Sequence, residues 1–183
     1  TSLDLMRYHS EFARLQQEKP KTAVLYSKPS RLDDANYSQK LLWTYMALVN
    51  MGEKVGIVSD NSIDLLYGYD VLVIPGATNC KAETLEAVRK FADRGGKIVY
   101  TGNVLHADEY NNSLDNSFIE DVGFSYTSYS SYFVNSGLYD AMKNAGRCKL
   151  YFMDADTGRR AENLDWQYSV TEDRLLVNVT NMT

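Results

Sequence analysis

Three features of the chain predict a doubly wound α/β domain built on a parallel sheet. Short apolar runs recur that are long enough for strands buried on both faces, as in Val71-Leu-Val-Ile74 and Lys97-Ile-Val-Tyr100. Segments carrying an apolar stripe at helical spacing separate them. The runs end on turn residues, Pro75-Gly76 and Thr101-Gly102, at the end of an open α/β sheet where ligand crevices form. Strand, helix, strand, strand, helix, strand with short connections implies right-handed crossovers.

Taken in order, residues 3–18 place Leu5, His9, Phe12 and Leu15 on one helical face, and Pro20 closes the segment. A stripe of this kind needs a partner surface, which makes Phe12 an interface candidate. Ala23-Val-Leu-Tyr-Ser27 is the first strand. Residues 35–51 form a helix with Tyr37, Leu41, Leu42, Tyr45, Met46 and Val49 along it, and Gly52 stands where a left-handed cap belongs. Lys54-Val-Gly-Ile-Val-Ser59 is the second strand and runs into Asp60. Residues 71–74 are the third. The next helix presents Leu85, Val88, Phe91 and Ala92, ends at Gly95-Gly96, and leads into the fourth strand over 97–100.

After residue 103 the pattern loosens. Phe118-Ile-Glu-Asp-Val-Gly123 reads as a short helix, residues 137–145 as a helix, and Lys149-Leu-Tyr-Phe-Met153 as a strand. Trp166–Val170 and Leu175–Val179 form a hairpin across a polar turn. The expected organisation is a connector helix over 1–20, the α/β domain over 21–155, and over 156–183 a hairpin that begins a further β domain. Open edges on an isolated hairpin are normally covered, so further chain is expected. Thr1 in place of an initiating Met is expected to be a cut or processed start.

The composition excludes several classes. With 183 residues, 44% apolar and 23% charged, the chain is an ordinary globular sequence. A net charge of −5 without a Lys/Arg cluster argues against a nucleic-acid partner. No apolar run reaches 18 residues and nothing resembles a signal peptide, so no membrane partner is expected and the compartment stays open. Cys80 and Cys148 have neither metal-ligand spacing nor a disulfide framework. The absence of G-x-G-x-x-G and of a P-loop leaves no cofactor indicated.

Residues 22–102 resemble the middle domain of family-42 β-galactosidases, often called the trimerisation domain. The resemblance is carried by Ala23-Val-Leu-Tyr-Ser27, Leu41-Leu-Trp-Thr-Tyr-Met46, Lys54-Val-Gly-Ile-Val-Ser59, Tyr69-Asp-Val-Leu-Val-Ile-Pro-Gly76 and Phe91-Ala-Asp-Arg-Gly-Gly-Lys-Ile-Val-Tyr100. Tyr8-His-Ser-Glu-Phe-Ala-Arg14 is similar to the connector from the catalytic barrel, and Leu175-Leu-Val-Asn-Val-Thr180 to the start of the small β domain that follows. The resemblance implies a flavodoxin-like, class I glutamine amidotransferase-like fold. It also implies a parent glycoside hydrolase whose paired carboxylates sit on a separate (β/α)₈ barrel of about 250 residues. In amidotransferase relatives the turn after the strand over 97–100 delivers a catalytic cysteine; here it reads Tyr100-Thr101-Gly102-Asn103.

The remaining candidates are few. Cys80-Lys-Ala-Glu83 has capping-box spacing with a thiol in the cap position, where a helix N-terminus lowers a thiol pKa. Cys148 reads as buried packing. His9 reads as packing or partner-facing, and His106, in His106-Ala-Asp-Glu109, as part of a solvated polar loop that matches no metal motif. Tyr126, Tyr129 and Tyr132 suit an interface, the core or a sugar contact. The strand-end positions Ser27, Asp60, Gly76, Thr78, Gly102 and Asn103 are the candidate ligand-binding set. The expected function is a non-catalytic accessory domain of a β-galactosidase-like glycoside hydrolase. Its partners would be further copies of itself, as a trimer in the family resembled, and the parent's barrel. The alternatives are a stand-alone amidotransferase-like protein binding a small ligand such as a sugar, and an active cysteine enzyme.

Overall fold

The computed structural model describes residues 9–10, 13, 18–127, 136–161, 164–170 and 175–181. Phe12, Tyr129, Tyr132 and most of the helix expected over 3–18 lie outside the described residues.

Five strands form one parallel sheet: β1 (Thr22–Tyr26), β2 (Val55–Ser59), β3 (Val71–Ile74), β4 (Lys97–Tyr100) and β5 (Gly123–Ser125). Their order, β2-β1-β3-β4-β5, is that of flavodoxin-like doubly wound domains. Because strand side chains alternate between faces, each central strand feeds two cores. Ala23, Leu25, Leu72, Ile74 and Ile98 pack on one side with Leu85, Val88 and Phe91 of helix α3 (Ala82–Asp93), numbered after α1 (Lys28–Asp33) and α2 (Tyr37–Asn50). Val24, Val71, Val73 and Val99 pack on the other side with Ala47 and Leu48 of α2. Leu138 and Met142, from α5 (Ser136–Asn144), which follows the short α4 (Phe118–Val122), complete that second core. The four predicted strands and both long helices are therefore present.

Some elements differ from expectation. Helix α1, a 3₁₀ turn over Ile63–Gly68 and strand β5 are additional. Residues 149–153 do not form a strand; Met153 makes only an isolated bridge to Arg160, and Tyr151 and Met153 are exposed. The chain cannot enter that run extended, because Cys148 holds φ at +52° while its N–H donates to Glu53 Oε1 at 3.2 Å. The hairpin is longer than expected: β6 (Leu164–Val170) pairs antiparallel with β7 (Leu175–Asn181), Trp166 opposite Val179.

Two contacts close the amino-terminal end of the sheet. Glu53 is buried, and its Oε2 accepts from Thr22 Oγ1 at 2.9 Å and from Arg147 Nε and Nη2 at 3.1 and 3.0 Å. One carboxylate thus joins β1, the α2–β2 turn and the segment after α5. Beside it, Gly52 adopts φ +76° as the left-handed cap of α2. A Cβ there would fall 2.7 Å from the Trp166 ring, whose Nε1 donates to Asn50 O at 3.1 Å. Phe152 meets Trp166 edge-on at 5.1 Å, and Tyr168 stacks on it at 5.7 Å.

Glu53→Ala, which leaves the Arg147 guanidinium without its carboxylate, is expected to cost about 3 kcal/mol, read as a lower urea midpoint at unchanged slope. Gly52→Ala combines an unfavourable φ with a clash against the indole and is expected to cost about 2 kcal/mol in the same assay. An unchanged midpoint in either variant would contradict the corresponding contact.

Candidate functional site

The helices on both faces leave the carboxyl ends of the strands as the open part of the sheet. A cleft of about 390 Å³ lies there, across the ends of β2, β1 and β3, where the strand order reverses. Tyr26 and the start of α1 (Lys28, Pro29, Leu32, Asp33) form one side, and Ser59, Asp60 and Asn61 after β2 form another. Asn79 and Lys81 before α3 and Glu109 and Asn111 after β4 complete it.

The floor is held by hydrogen bonds internal to the protein. Asp60 Oδ2 accepts from Lys28 N at 2.8 Å and Oδ1 from Thr84 Oγ1 at 2.9 Å, so one carboxylate joins the starts of α1 and α3. Ser30 Oγ donates to Asn79 O at 2.7 Å and accepts from Asn79 N at 2.9 Å, fastening the β3–α3 connection to α1. Asn79 Nδ2 then reaches Asp108 O at 3.1 Å and Asn111 Oδ1 at 2.6 Å, fixing the far wall. That wall is braced by Asp108, whose carboxylate accepts from Tyr110 N, Asn112 N and Asn112 Nδ2; these bonds, led by the Asn112 side chain, hold its pKa below the usual carboxylate range.

The strand-end candidates separate on this geometry. Asp60 lines the cleft. Ser27 is buried and serves as the N-cap of α1, its Oγ accepting from Ser30 N at 3.2 Å and donating to Asn79 O. Gly76, at φ +68°, has Lys40 Cδ and Thr101 O as near neighbours. Thr78 Oγ1 is the one buried side-chain polar atom without a partner among the described residues. Gly102 and Asn103 are exposed, with Asn103 Oδ1 accepting from Asn116 Nδ2 at 3.2 Å. Ser27, Gly76, Thr78, Gly102 and Asn103 do not line the cleft. The turn after β4 places its positive φ, +76°, on Gly102 and not on Thr101.

Tyr26, Lys28, Asn61, Asn79, Lys81, Glu109 and Asn111 line the cleft without having been singled out in sequence. Lys28 and Asn61 stand two residues beyond the ends of β1 and β2, and Tyr26 is the last residue of β1, so position at a strand end marks these three. Glu109 and Asn111 come from a loop with no periodicity to place it.

The capping box expected at Cys80 does not form. Lys81 is the N-cap of α3 and makes no side-chain cap, while Cys80 is fully buried beneath the cleft. Its thiol pKa is pushed up to about 12, chiefly by burial and then by the nearby charges of Asp60, Glu109 and Asp108, the opposite of the lowering expected at a helix N-terminus. Cys148 is buried as expected, and its thiol is also pushed up by burial and by Glu53, whose Oε1 is 3.8 Å from Sγ. His106 is half-buried with Nδ1 3.1 Å from Asn103 O, and His9 is exposed. Tyr126 is a core residue with its hydroxyl 3.4 Å from Thr44 Oγ1. Among the described residues no group of three or more His, Cys, Asp or Glu is placed to hold a metal ion, and no helix is long and apolar enough to cross a membrane.

The sheet order and the cleft define a doubly wound α/β domain with an open switch point. Among solved structures it is similar to an exo-carrageenase of family GH42 from Bacteroides ovatus, with a TM-score of 0.69 and 17% identity, over 98% of this chain and 25% of that one. A β-galactosidase from Bifidobacterium adolescentis aligns at a TM-score of 0.47 and 22% identity, over 52% of this chain and 46% of that one. The β-galactosidase from Rahnella sp. R3 aligns at 0.46 and 22%, over 54% and 16%. The chain therefore spans about a quarter of the exo-carrageenase's length, and what it shares with that enzyme is the fold. No family model and no curated protein sequence matches the chain.

The thiolate is the reactive form of cysteine, and a pKa of about 12 leaves roughly one Cys80 in ten thousand ionised at pH 8. Iodoacetamide at pH 8 is expected to leave the native protein unmodified by mass spectrometry and to add two carbamidomethyl groups in guanidinium chloride. Rapid labelling of native Cys80 would contradict its burial.

Proposed function

We propose that this chain is a non-catalytic accessory domain of a glycoside hydrolase related to family GH42, acting by association between domains or subunits. The observation that carries the reading is the alignment of 98% of this chain with one quarter of the GH42 exo-carrageenase at a TM-score of 0.69. In this reading the paired carboxylates of glycoside hydrolysis reside on a barrel elsewhere in the parent protein. The domain's apolar surface holds that barrel in place, and self-association, as a trimer, is part of the role.

The chemistry of the chain's own groups supports this. A glycosidase general acid needs a carboxyl whose pKa is raised toward neutrality. Among the described residues the displaced carboxyls move the other way. Asp34 is lowered chiefly by Lys40, Asp108 by Asn112, Asp115 by Ser117 and Asp154 by the Thr157 N–H. Asp60, in the cleft, already accepts two hydrogen bonds from the protein. The cysteine nearest the cleft is buried and protonated.

An antibody raised to this domain is expected to detect, in source cells, a polypeptide several-fold larger than 20.8 kDa. A native band near 20.8 kDa would overturn the accessory-domain reading. The purified 183-residue chain is expected to show no turnover of chromogenic galactosides. Turnover abolished by a single Asp or Glu substitution would overturn its non-catalytic character.

A further inference from the structure

The switch-point cleft has a composition that selects a class of ligand. At the starts of helices, backbone N–H groups and the helix dipole favour an anion, and α/β folds commonly place a phosphate there. Here the protein supplies that anion itself. The Asp60 carboxylate takes Lys28 N, at the start of α1, and Thr84 Oγ1, in the first turn of α3. The lining carries Asp33 and Glu109 as well as Asp60, so a phosphate entering the cleft meets three carboxylates. Lys28 and Lys81 offset two of these three carboxylates and leave the lining net negative.

Above this floor stand polar groups that make no hydrogen bond to the described residues: the Tyr26 hydroxyl, the Lys28 and Lys81 ammonium groups, the Asn61 amide and the Glu109 carboxylate. They mix donors with acceptors. The Tyr26 ring, Pro29 and the largely exposed Leu32 add an apolar wall. A ligand that satisfies donors and acceptors at once, carries no charge and offers an apolar edge is a ring polyol. The size of the cleft, about 390 Å³, is at the small-ligand end of binding pockets. The walls that would orient it are already fixed through Asn79, Ser30 and Asp108.

We propose that the cleft framed by Tyr26, Asn61, Lys81, Glu109 and Asn111 is a binding site for a neutral saccharide of one or two rings, with Asp60 as the built-in anion that excludes phosphate. The choice of a saccharide among polyols rests on the accessory-domain reading above; the exclusion of anions rests on the cleft alone.

Saturation-transfer NMR and calorimetric titration of the whole chain with D-galactose and lactose, and separately with sodium phosphate, test this. Saturable binding of one of the sugars is expected, with no binding of phosphate. Asn61 and Glu109 are exposed, so Asn61→Ala and Glu109→Gln preserve the fold. Each is expected to weaken sugar binding about three- to tenfold. Tyr26→Phe, which removes only a hydroxyl, is expected to act in the same direction. No saturable sugar binding, sugar binding indifferent to all three variants, or phosphate binding tighter than sugar would each overturn the assignment. The native-size measurement separates the two proposals. Lactose bound by a protein that runs at 20.8 kDa in cells would sink the accessory role and keep the cleft assignment. A large native band with an inert cleft would do the reverse.

Discussion

The two-sided burial of β1 and β3 is the constraint on which the other features depend. Val24 and Val73 point to one side of the sheet and Leu25 and Leu72 to the other, all of them fully buried. Removing such side chains from water contributes roughly 1.5–3 kcal/mol each, and a sheet can collect that on both faces only if helices cover both. Once α2 and α5 occupy one face and α3 the other, the strand ends are the surfaces left over. The amino-terminal end is sealed by Glu53 and its partners. The carboxyl end stays open, and the cleft is located there because nothing in the layer arrangement fills it.

That opening is braced by local contacts. Hydrogen bonds from Asp60, Ser30 and Asn79 link four separate connections, each of which follows a different strand. Loops that carry sites are usually the mobile part of an α/β domain. Here the loops brace one another through buried or half-buried groups, so cleft shape is coupled to the packing of α1 and α3.

Apolar runs bounded by turn residues were enough to place β1 to β4, and helical stripes to place α2 and α3, because each is a local signal within one stretch of sequence. It failed where structure depends on partners distant in sequence. Strand β5 has three residues and exists because β4 offers it an edge. Helix α1 has a polar sequence with no stripe, although Ser27 followed by Pro29 is a recognisable helix start. Reading Ser27 only as a strand end concealed its use as a cap. The apolar run over 149–153 has strand composition, but Cys148 is turned by Glu53, nearly a hundred positions earlier, which no local window contains. Asp60 was legible as a site residue by its place after β2. The residues it is joined to were not, since hydrogen-bond partners leave no imprint on spacing.

The seat of Trp166 on Gly52 carries an evolutionary implication. The indole occupies the space of the missing Cβ and donates to the carbonyl of Asn50 two positions earlier. Across descendants of this sequence the two positions are expected to co-vary in one direction only. A lineage that replaces Trp166 with a small residue gains room at position 52, yet the left-handed backbone still favours glycine there. A lineage that loses the glycine first must reseat the indole before it can keep the hairpin. Glycine at 52 is therefore expected to be the slower-changing partner, and the aromatic the one freer to drift.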